Sequence, residues 1–163
     1  MSPRSFDRDV LFEMLGGHPG RIEELMGAAP DDRRRARPRP DAWSADEIFA
    51  HVRACADVWG GHIAAILDAH PLRIPAGDPR AWAADHGYLD AEFPTSFAVY
   101  ARDRDGLLDR LRTLSDEGWL SSALMVGSSS RAERSVQWHA DHIARHEEQH
   151  VLEIRRALRS LRG

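Results

Sequence analysis

The sequence contains no lysine, and all 22 of its basic residues are arginine. Without lysine, the chain has no side chain for Schiff-base chemistry and no P-loop lysine for binding nucleotide phosphates. The abundance of arginine and alanine is typical of a GC-rich genome. We therefore attach no functional meaning to it beyond the exclusion of those two classes of site.

Cysteine is nearly as scarce, since Cys55 is the only one in the chain. A single cysteine excludes an intrachain disulfide framework and a cysteine-rich zinc module. A metal site would therefore need histidine and carboxylate ligands, and the nine histidines make one possible. For Cys55 itself, a small buried core residue is favoured over a reactive thiol near a metal.

Long apolar runs and an excess of basic charge are also missing. No stretch approaches the roughly 18 apolar residues that span a bilayer, and the N-terminus lacks the apolar segment of a secretory signal. We therefore expect a cytoplasmic protein without membrane contact. The net charge of −4 argues against a dedicated nucleic-acid binder. The length of 163 residues predicts one domain, spanning 1–163.

The apolar residues recur at helical spacing and are separated by loops that contain proline and glycine. Four long helices are expected, from Phe6 to about Met26, from the N-cap Ser44 to about Ala69, from about Ser96 to Ser115, and from Arg131 to Leu161. The glycines and the proline of residues 16–20 should interrupt the first helix. No sheet is expected. The pattern predicts an all-α fold, a four-helix bundle with a short extra helix in a connecting loop.

The connecting segments carry weaker signals. Residues 28–41 are expected to form a loop whose arginines are solvated, an interpretation favoured over binding of a phosphate or an anionic thiol. Residues 71–80 and the segment around 117–130 are expected to be loops as well. The short extra helix is expected within 81–91, with Trp82 and Leu89 turned inward.

The last predicted helix carries four histidines within an arc of about 80° on one face, at 100° per residue. They are His139, His142, His146 and His150. An i, i+4 pair such as His146 and His150 places two imidazoles on successive turns, which suits two ligands of one metal ion. For His139 and His142, a place on the surface or beside the ligands is favoured.

A third ligand would have to come from another helix, and His51 lies on the apolar face of the second one. A lone histidine on such a face is usually a core residue with a hydrogen-bonded partner. The His146–His150 pair and the bundle context favour a metal ligand instead. Three neutral imidazoles with an open fourth position are typical of a catalytic metal site. His62 lies too far along the second helix, by about 16 Å, to join them.

Two segments resemble the DinB-like superfamily. The first is Trp43-Ser-x-x-Glu-Ile-x-x-His51-Val, and the second is His146-Glu-Glu-Gln-His150-Val-Leu-Glu-Ile. The resemblance implies a four-helix bundle in which His51, His146 and His150 hold a divalent ion, commonly zinc or nickel. It also implies frequent homodimerisation. Several relatives are thiol transferases or isomerases that use a low-molecular-weight thiol such as mycothiol, bacillithiol or glutathione.

These observations predict a metal-dependent enzyme that acts on a small-molecule substrate. The expected reaction is a thiol S-transfer of the mycothiol or bacillithiol type, a thiol-dependent isomerisation or a related hydrolysis, with the thiol or water activated by the ion. The alternative is a non-catalytic metal-binding or stress-related bundle. In that case a side chain such as Glu147 or His142 would close the fourth position.

A zincin-like peptidase is a further alternative, because His146-Glu147-Glu-Gln-His150 satisfies the helix motif of those enzymes, with Glu147 as the general base. Only 13 residues follow His150, and none of them is histidine. The sequence therefore lacks the downstream ligand of a zincin. A carboxylate-bridged di-iron site is disfavoured too, because Glu47 and His51 have the wrong spacing for a second Glu-x-x-His motif.

Overall fold

Helices account for most of residues 7–162, the part of the chain that the computed structural model describes. In chain order they are α1 (Arg8–Gly27), α2 (Asp31–Arg35), α3 (Ala45–Ala69), α4 (Pro79–Asp85), α5 (Phe93–Arg112), α6 (Asp116–Leu120) and α7 (Val136–Ser160), with a 3-10 turn at Tyr88–Asp90. Helices α1, α3, α5 and α7 form the bundle, which confirms the predicted fold class. No helix in this part of the chain is both long enough and apolar enough to cross a membrane.

The order of the long helices around the bundle determines which side chains meet. Helix α7 packs along both α1 and α3, and α5 packs against the same two helices. The first two long helices, α1 and α3, therefore lie diagonally opposite each other, as do the last two, α5 and α7. The most extensive contact between helices is that of α3 with α7.

Helix α3 has the boundaries that the sequence predicts, because its ends are chemically well defined. The backbone N–H of Glu47 donates to the Ser44 hydroxyl at 3.1 Å, and the backbone N–H of Ser44 donates to the Glu47 carboxylate at 2.8 Å. This capping box satisfies two backbone donors that would otherwise lack partners. After Ala69 the chain leaves the helix through His70, which has a positive φ of 47°.

The predicted interruption of the first helix is wrong. Helix α1 continues through Pro19, and Leu15, His18 and Ile22 are all buried on one of its faces. Burial of this face against α5 and α7 outweighs the hydrogen bond that proline removes. Phe6, the predicted first residue, lies outside the described residues.

The expectation that the chain has no sheet is also wrong. Three short strands, β1 (Arg73–Pro75), β2 (Ser122–Val126) and β3 (Arg131–Ser135), form a sheet in which β2 is the central strand. Strand β1 pairs in parallel with β2, and β3 pairs antiparallel to it. The last helix therefore begins at Val136 and not at Arg131. The strands are too short for a clear alternating pattern, although Ala123 and Met125 do alternate inward.

The segment 28–41 is more structured than a solvated loop, since it contains α2. Arg34 is 7% exposed, and its guanidinium donates to the carbonyl oxygens of Met26 and Ala29 at 3.3 and 2.7 Å. These carbonyls lie at and just beyond the end of α1, and that of Met26 also accepts from the backbone N–H of Ala29. Arg34 thus binds the end of α1, and the prediction of a solvated side chain is wrong for this residue.

The extra helix predicted within 81–91 exists as α4 and the 3-10 turn, but Trp82 and Leu89 do not face inward, and the buried residue of α4 is Ala83. Trp82 is 38% exposed and Leu89 is 56% exposed. The Trp82 indole stacks on His86 at a ring-centroid distance of 4.0 Å, and its N–H donates to Asp57 at 3.2 Å. This segment therefore covers α3 through polar contacts.

Within the described residues, the buried apolar side chains form two clusters, one in each half of the bundle. On α1, α5 and α7 the two clusters are separated by one buried polar residue per helix. These residues are His18, Arg104 and Glu147, and each is at most 3% exposed. We call them the polar layer.

The polar layer is held together by charge-assisted hydrogen bonds. Both terminal guanidinium nitrogens of Arg104 donate to the Glu147 carboxylate, and one of them also donates to the carbonyl oxygen of Leu15 at 3.0 Å. His18 Nδ1 lies 2.9 Å from the same carboxylate. Burial opposes the ionisation of Glu147, yet Arg104 and His18 together lower its pKa to about 2. The carboxylate is therefore ionised inside the bundle.

Replacing Glu147 by glutamine leaves the Arg104 charge buried without an anionic partner. We expect a loss of about 3–5 kcal/mol in the free energy of unfolding, because an uncompensated buried charge is strongly destabilising. Urea denaturation measures this loss. The exposed Asp141–Arg145 pair on the same helix is the control, and Asp141→Asn should cost about 0.5 kcal/mol or less. Equal costs for the two substitutions would contradict the prediction.

The pH dependence of stability has a definite sign. Glu147 has a pKa of about 2 in the folded state against an ordinary value of 4.5. Its contribution is therefore fully present above pH 4.5 and is lost as the pH falls towards 2. The difference in unfolding free energy between the wild type and Glu147→Gln should shrink over the same range. A difference that stays constant with pH would show that the pKa of Glu147 is the same in the folded and unfolded states, which would contradict the prediction.

Candidate metal centre

The structure brings together the three histidines that the sequence singled out as ligands. His51 projects from α3, and His146 and His150 project from successive turns of α7. The ring centroid of His51 lies 5.2 Å from that of His146 and 5.0 Å from that of His150. The ring centroids of His146 and His150 are 4.2 Å apart. Three imidazoles from two helices thus form one cluster.

Two nitrogen atoms of this cluster lie about as far apart as two ligands of one metal ion. His146 Nε2 and His150 Nε2 are 3.0 Å apart. Two nitrogens bound to one tetrahedral zinc ion, at about 2.0–2.1 Å each, would be roughly 3.3 Å apart. The pair therefore fits a shared ion with a small adjustment of either side chain.

A carboxylate sets the tautomer of His150. His150 Nδ1 lies 3.0 Å from the Glu153 carboxylate, which accepts hydrogen bonds and so requires the proton on Nδ1. The lone pair of neutral His150 is then on Nε2, the atom that faces His146. Metal-binding histidines commonly have such a carboxylate partner, which orients the ring and raises its basicity.

Burial favours the neutral imidazoles that bind metals. It is the largest cause of the lowered pKa of His51, with a further contribution from His150. Burial, together with His150 and His51, lowers the pKa of His146 to about 3. Neutral imidazole is the form that coordinates divalent ions.

Cys55 lies one turn after His51 and is 1% exposed, which confirms the predicted buried position. Its Sγ is 3.5 Å from His51 Nε2 and 4.0 Å from His146 Nε2. Donor atoms of these three residues all lie within 4.8 Å of one another. Burial, followed by the charge of Glu147, raises the pKa of the thiol to about 12. His51 and His146 thus belong both to the cluster of three imidazoles and to a set completed by Cys55. Among the described residues, the set with Cys55 is the one whose three donor atoms all lie this close together.

His142 and two tryptophans flank the cluster on the side of the sheet. The His142 ring stacks on that of Trp138 at a centroid distance of 4.6 Å. It makes a T-shaped contact with the Trp59 ring at a centroid distance of 4.4 Å. It lies 6.2 Å from the His146 ring, and burial lowers its pKa. His142 is therefore a half-buried neighbour of His146, in line with one of the two positions expected for it.

His139, by contrast, is a core residue, and a surface position for it is wrong. It is 1% exposed and its Nδ1 donates to the carbonyl oxygen of Ser135 at 2.9 Å. Its ring packs against that of His62 at 5.2 Å. This contact agrees with the expectation that His62 lies apart from the three-histidine cluster.

Glu147 faces away from the cluster. Its carboxylate binds Arg104 and His18 in the polar layer, so it neither closes the fourth position nor serves as the general base of a zincin-like site. Arg104 belongs to none of the sequence motifs and was not predicted. The available signal was its place four residues after Tyr100 and four before Leu108, on the apolar face of α5.

A cavity of about 710 Å³ opens beside the cluster. His51 and His150 reach its wall, together with Trp43 and Ile48. The Trp43 ring meets the His51 ring edge to face at 5.3 Å. The volume lies within the range of about 300–1,000 Å³ that is typical of small-molecule sites. Cys55 and His146 do not line the cavity, so the thiol lies on the buried side of the cluster and His150 on the open side.

The chain is thus a four-helix bundle in which three histidines from α3 and α7 meet beside an open cavity. A family model of the DinB superfamily matches residues 14–154. The chain therefore belongs to the DinB superfamily, as the sequence motifs indicate. No curated protein sequence matches the chain at a significant level.

The fold is also similar to that of a solved structure, YfiT from Bacillus subtilis. The TM-score is 0.82 at 16% sequence identity, and the alignment covers 98% of this chain and 92% of YfiT. YfiT is described as a probable metal-dependent hydrolase with an unusual four-helix bundle topology. At this level of identity, the likeness establishes the shared fold.

We expect untagged protein to bind close to one equivalent of zinc, and we expect His51→Ala, His146→Ala and His150→Ala each to weaken binding. The loss should exceed the roughly 10–100-fold that follows removal of a ligand's hydrogen-bond partner, which is the effect expected for Glu153→Ala. Competition with a chromophoric chelator measures the affinities.

His86→Ala is the control, because His86 is exposed directly after α4 and stacks on Trp82. It should bind zinc as the wild type does. Unchanged affinity in any of the three cluster variants would remove that histidine from the ligand set.

Proposed function

We propose that the chain is a divalent-metal-dependent enzyme in which His51, His146 and His150 hold the ion. One observation carries the proposal: three imidazoles from α3 and α7 converge beside a cavity large enough for a small molecule. Membership of the DinB superfamily and the description of YfiT agree with it. Three imidazoles suit zinc and nickel alike, and either ion serves the proposal.

A divalent ion bound there would lower the pKa of a thiol or water in the open position, so that thiolate or hydroxide is available near neutral pH. The chain itself supplies the surroundings. Glu153 accepts the Nδ1 proton of His150 and fixes the ring. Trp43 and Ile48 keep part of the cavity wall apolar, which limits the water that competes for the open position.

The reaction we propose is a thiol S-transfer, with thiol-dependent isomerisation and hydrolysis as reactions of the same site. In the transfer, the sulfur of a low-molecular-weight thiol attacks an electrophilic carbon of the substrate. The leaving group departs with the electron pair of the broken bond. A cavity on the His150 side gives thiol and substrate access to the ligands without any rearrangement of the core.

A non-catalytic metal-binding bundle is the second candidate, and the position of Cys55 favours it. If the ion bound the thiolate of Cys55 as well as the histidines, four protein ligands would leave no open position, as in structural zinc sites. We expect the ion on the open side of the cluster instead, with Cys55 behind it.

Cobalt(II) distinguishes the two candidates, because a thiolate bound to cobalt absorbs in the near ultraviolet. We expect the wild type and Cys55→Ser to bind one equivalent of cobalt with the same spectrum. A near-ultraviolet band should appear only after a thiol is added. A band present without added thiol and lost in Cys55→Ser would establish a closed site and favour the non-catalytic candidate.

Activity is measured with a fluorogenic bimane electrophile and, in turn, mycothiol, bacillithiol and glutathione. We expect zinc- or nickel-loaded protein to accelerate conjugation of at least one thiol and chelator-treated protein to lose this activity. His150→Ala should lose it as well, and His86→Ala should retain it. Activity that survives both chelation and His150→Ala would contradict a metal-dependent reaction.

A further inference from the structure

We infer that the cavity beside the histidines binds a small molecule that carries a carboxylate or a similar oxyanion, held by Arg80 and Arg156. The inference rests on the proposed function for the chemistry at the ion. The binding of the anion depends on the arginines alone, and the two can therefore be tested separately.

The cavity is positively charged in a chain whose net charge is −4. Its wall includes the three arginines Arg39, Arg80 and Arg156 but only two carboxylates, Asp41 and Glu153. The arginines come from three separate parts of the chain, which are the segment before α3, helix α4 and helix α7. Their convergence on one cavity is a property of the fold and not of a local run of basic residues.

Both carboxylates of the cavity already have partners. Asp41 lies 3.4 Å from the Nε of Arg39, and Glu153 lies 3.0 Å from His150 Nδ1. The two acidic groups therefore do not neutralise Arg80 and Arg156. Among residues 7–162, neither of these two guanidiniums has a carboxylate within salt-bridge distance.

Arg80 is also placed close to the histidines. Its guanidinium lies over the Trp43 ring at 5.4 Å, a contact that orients the planar group and leaves its N–H edges available. Its charge contributes, after burial and His150, to the lowered pKa of His51. An anion bound by Arg80 would thus lie next to the imidazole of His51, one of the two that line the cavity.

The chemistry of the cavity defines its occupant. Guanidinium groups bind carboxylates through paired, charge-assisted hydrogen bonds. Trp43, Ile48 and Ala157 offer apolar surface for a short carbon chain. A molecule with an anionic group at one end and a reactive thiol or electrophile at the other would contact both the arginines and the metal centre. A neutral molecule of the same length would contact only the centre.

Two thiols of matched length test this in the cobalt-loaded protein: 3-mercaptopropionate, which is anionic, and 3-mercapto-1-propanol, which is neutral. The near-ultraviolet thiolate band measures the affinity of each. We expect the anionic thiol to bind at least about tenfold more tightly, because its carboxylate can form paired, charge-assisted hydrogen bonds with the two guanidiniums and the hydroxyl of the neutral thiol cannot. In the Arg80→Gln/Arg156→Gln double variant, the two affinities should differ by less than about twofold.

Arg159→Gln is the matched control. Arg159 is an exposed arginine of the same helix, but it lines a separate cavity of about 230 Å³ that the three histidines do not border. This variant has one positive charge fewer and should keep the preference for the anionic thiol. Equal affinities of the two thiols in the wild type, or a preference that survives the double substitution, would overturn the inference.

Calorimetry of the metal-free protein with glutarate, and with neutral glutaramide as its control, separates this inference from the proposed function. We expect the wild type to bind glutarate in preference to glutaramide and the double variant to show no preference. If cobalt did not bind but the wild type still preferred glutarate to glutaramide, the anion site would be supported and the metal-dependent function contradicted. If cobalt bound but neither the thiols nor glutarate showed a preference for the anion, metal binding would be supported and the anion site contradicted.

Discussion

The buried ion pair between Arg104 on α5 and Glu147 on α7 fixes how the long helices are aligned along the axis of the bundle. With His18 on α1 it links three helices between two apolar clusters. Glu147 and His146 are neighbours on α7, about 100° apart around the helix. When Glu147 binds Arg104, His146 is therefore directed to α3, where His51 and Cys55 lie. A polar interaction inside the core thus sets the register of the candidate metal centre.

That arrangement gives the centre two different sides. Cys55 lies on the buried side, and the cavity lies on the side of His150. Burial opposes a positive charge on the imidazoles and is the largest cause of the lowered pKa values of His51 and His146. The open side has room for a small molecule and carries Arg80 and Arg156, for which residues 7–162 provide no carboxylate within salt-bridge distance. Under the proposed function, the ion and its ligand would both lie on the open side, with Cys55 behind the ion.

Much of the fold and the three clustered histidines could be predicted from sequence, because those signals are local or periodic. The capping box at Ser44 fixed the start of α3, and the i, i+4 spacing placed His146 and His150 on one face. The sheet and the polar layer could not be predicted in the same way. Strands β1 and β2 pair across about 50 residues, and Arg104 is buried because distant Glu147 compensates its charge. Such pairings depend on tertiary contacts that no local pattern records.

X-ray absorption spectroscopy of the zinc-loaded protein tests most directly whether the three imidazoles hold an ion on the open side of the cluster. We predict three imidazole nitrogens at about 2.0–2.1 Å and no protein sulfur near 2.3 Å, with a light atom from solvent completing the coordination. A sulfur ligand near 2.3 Å in protein without added thiol would place Cys55 on the ion. Fewer than three imidazoles would remove the proposed ligand set altogether.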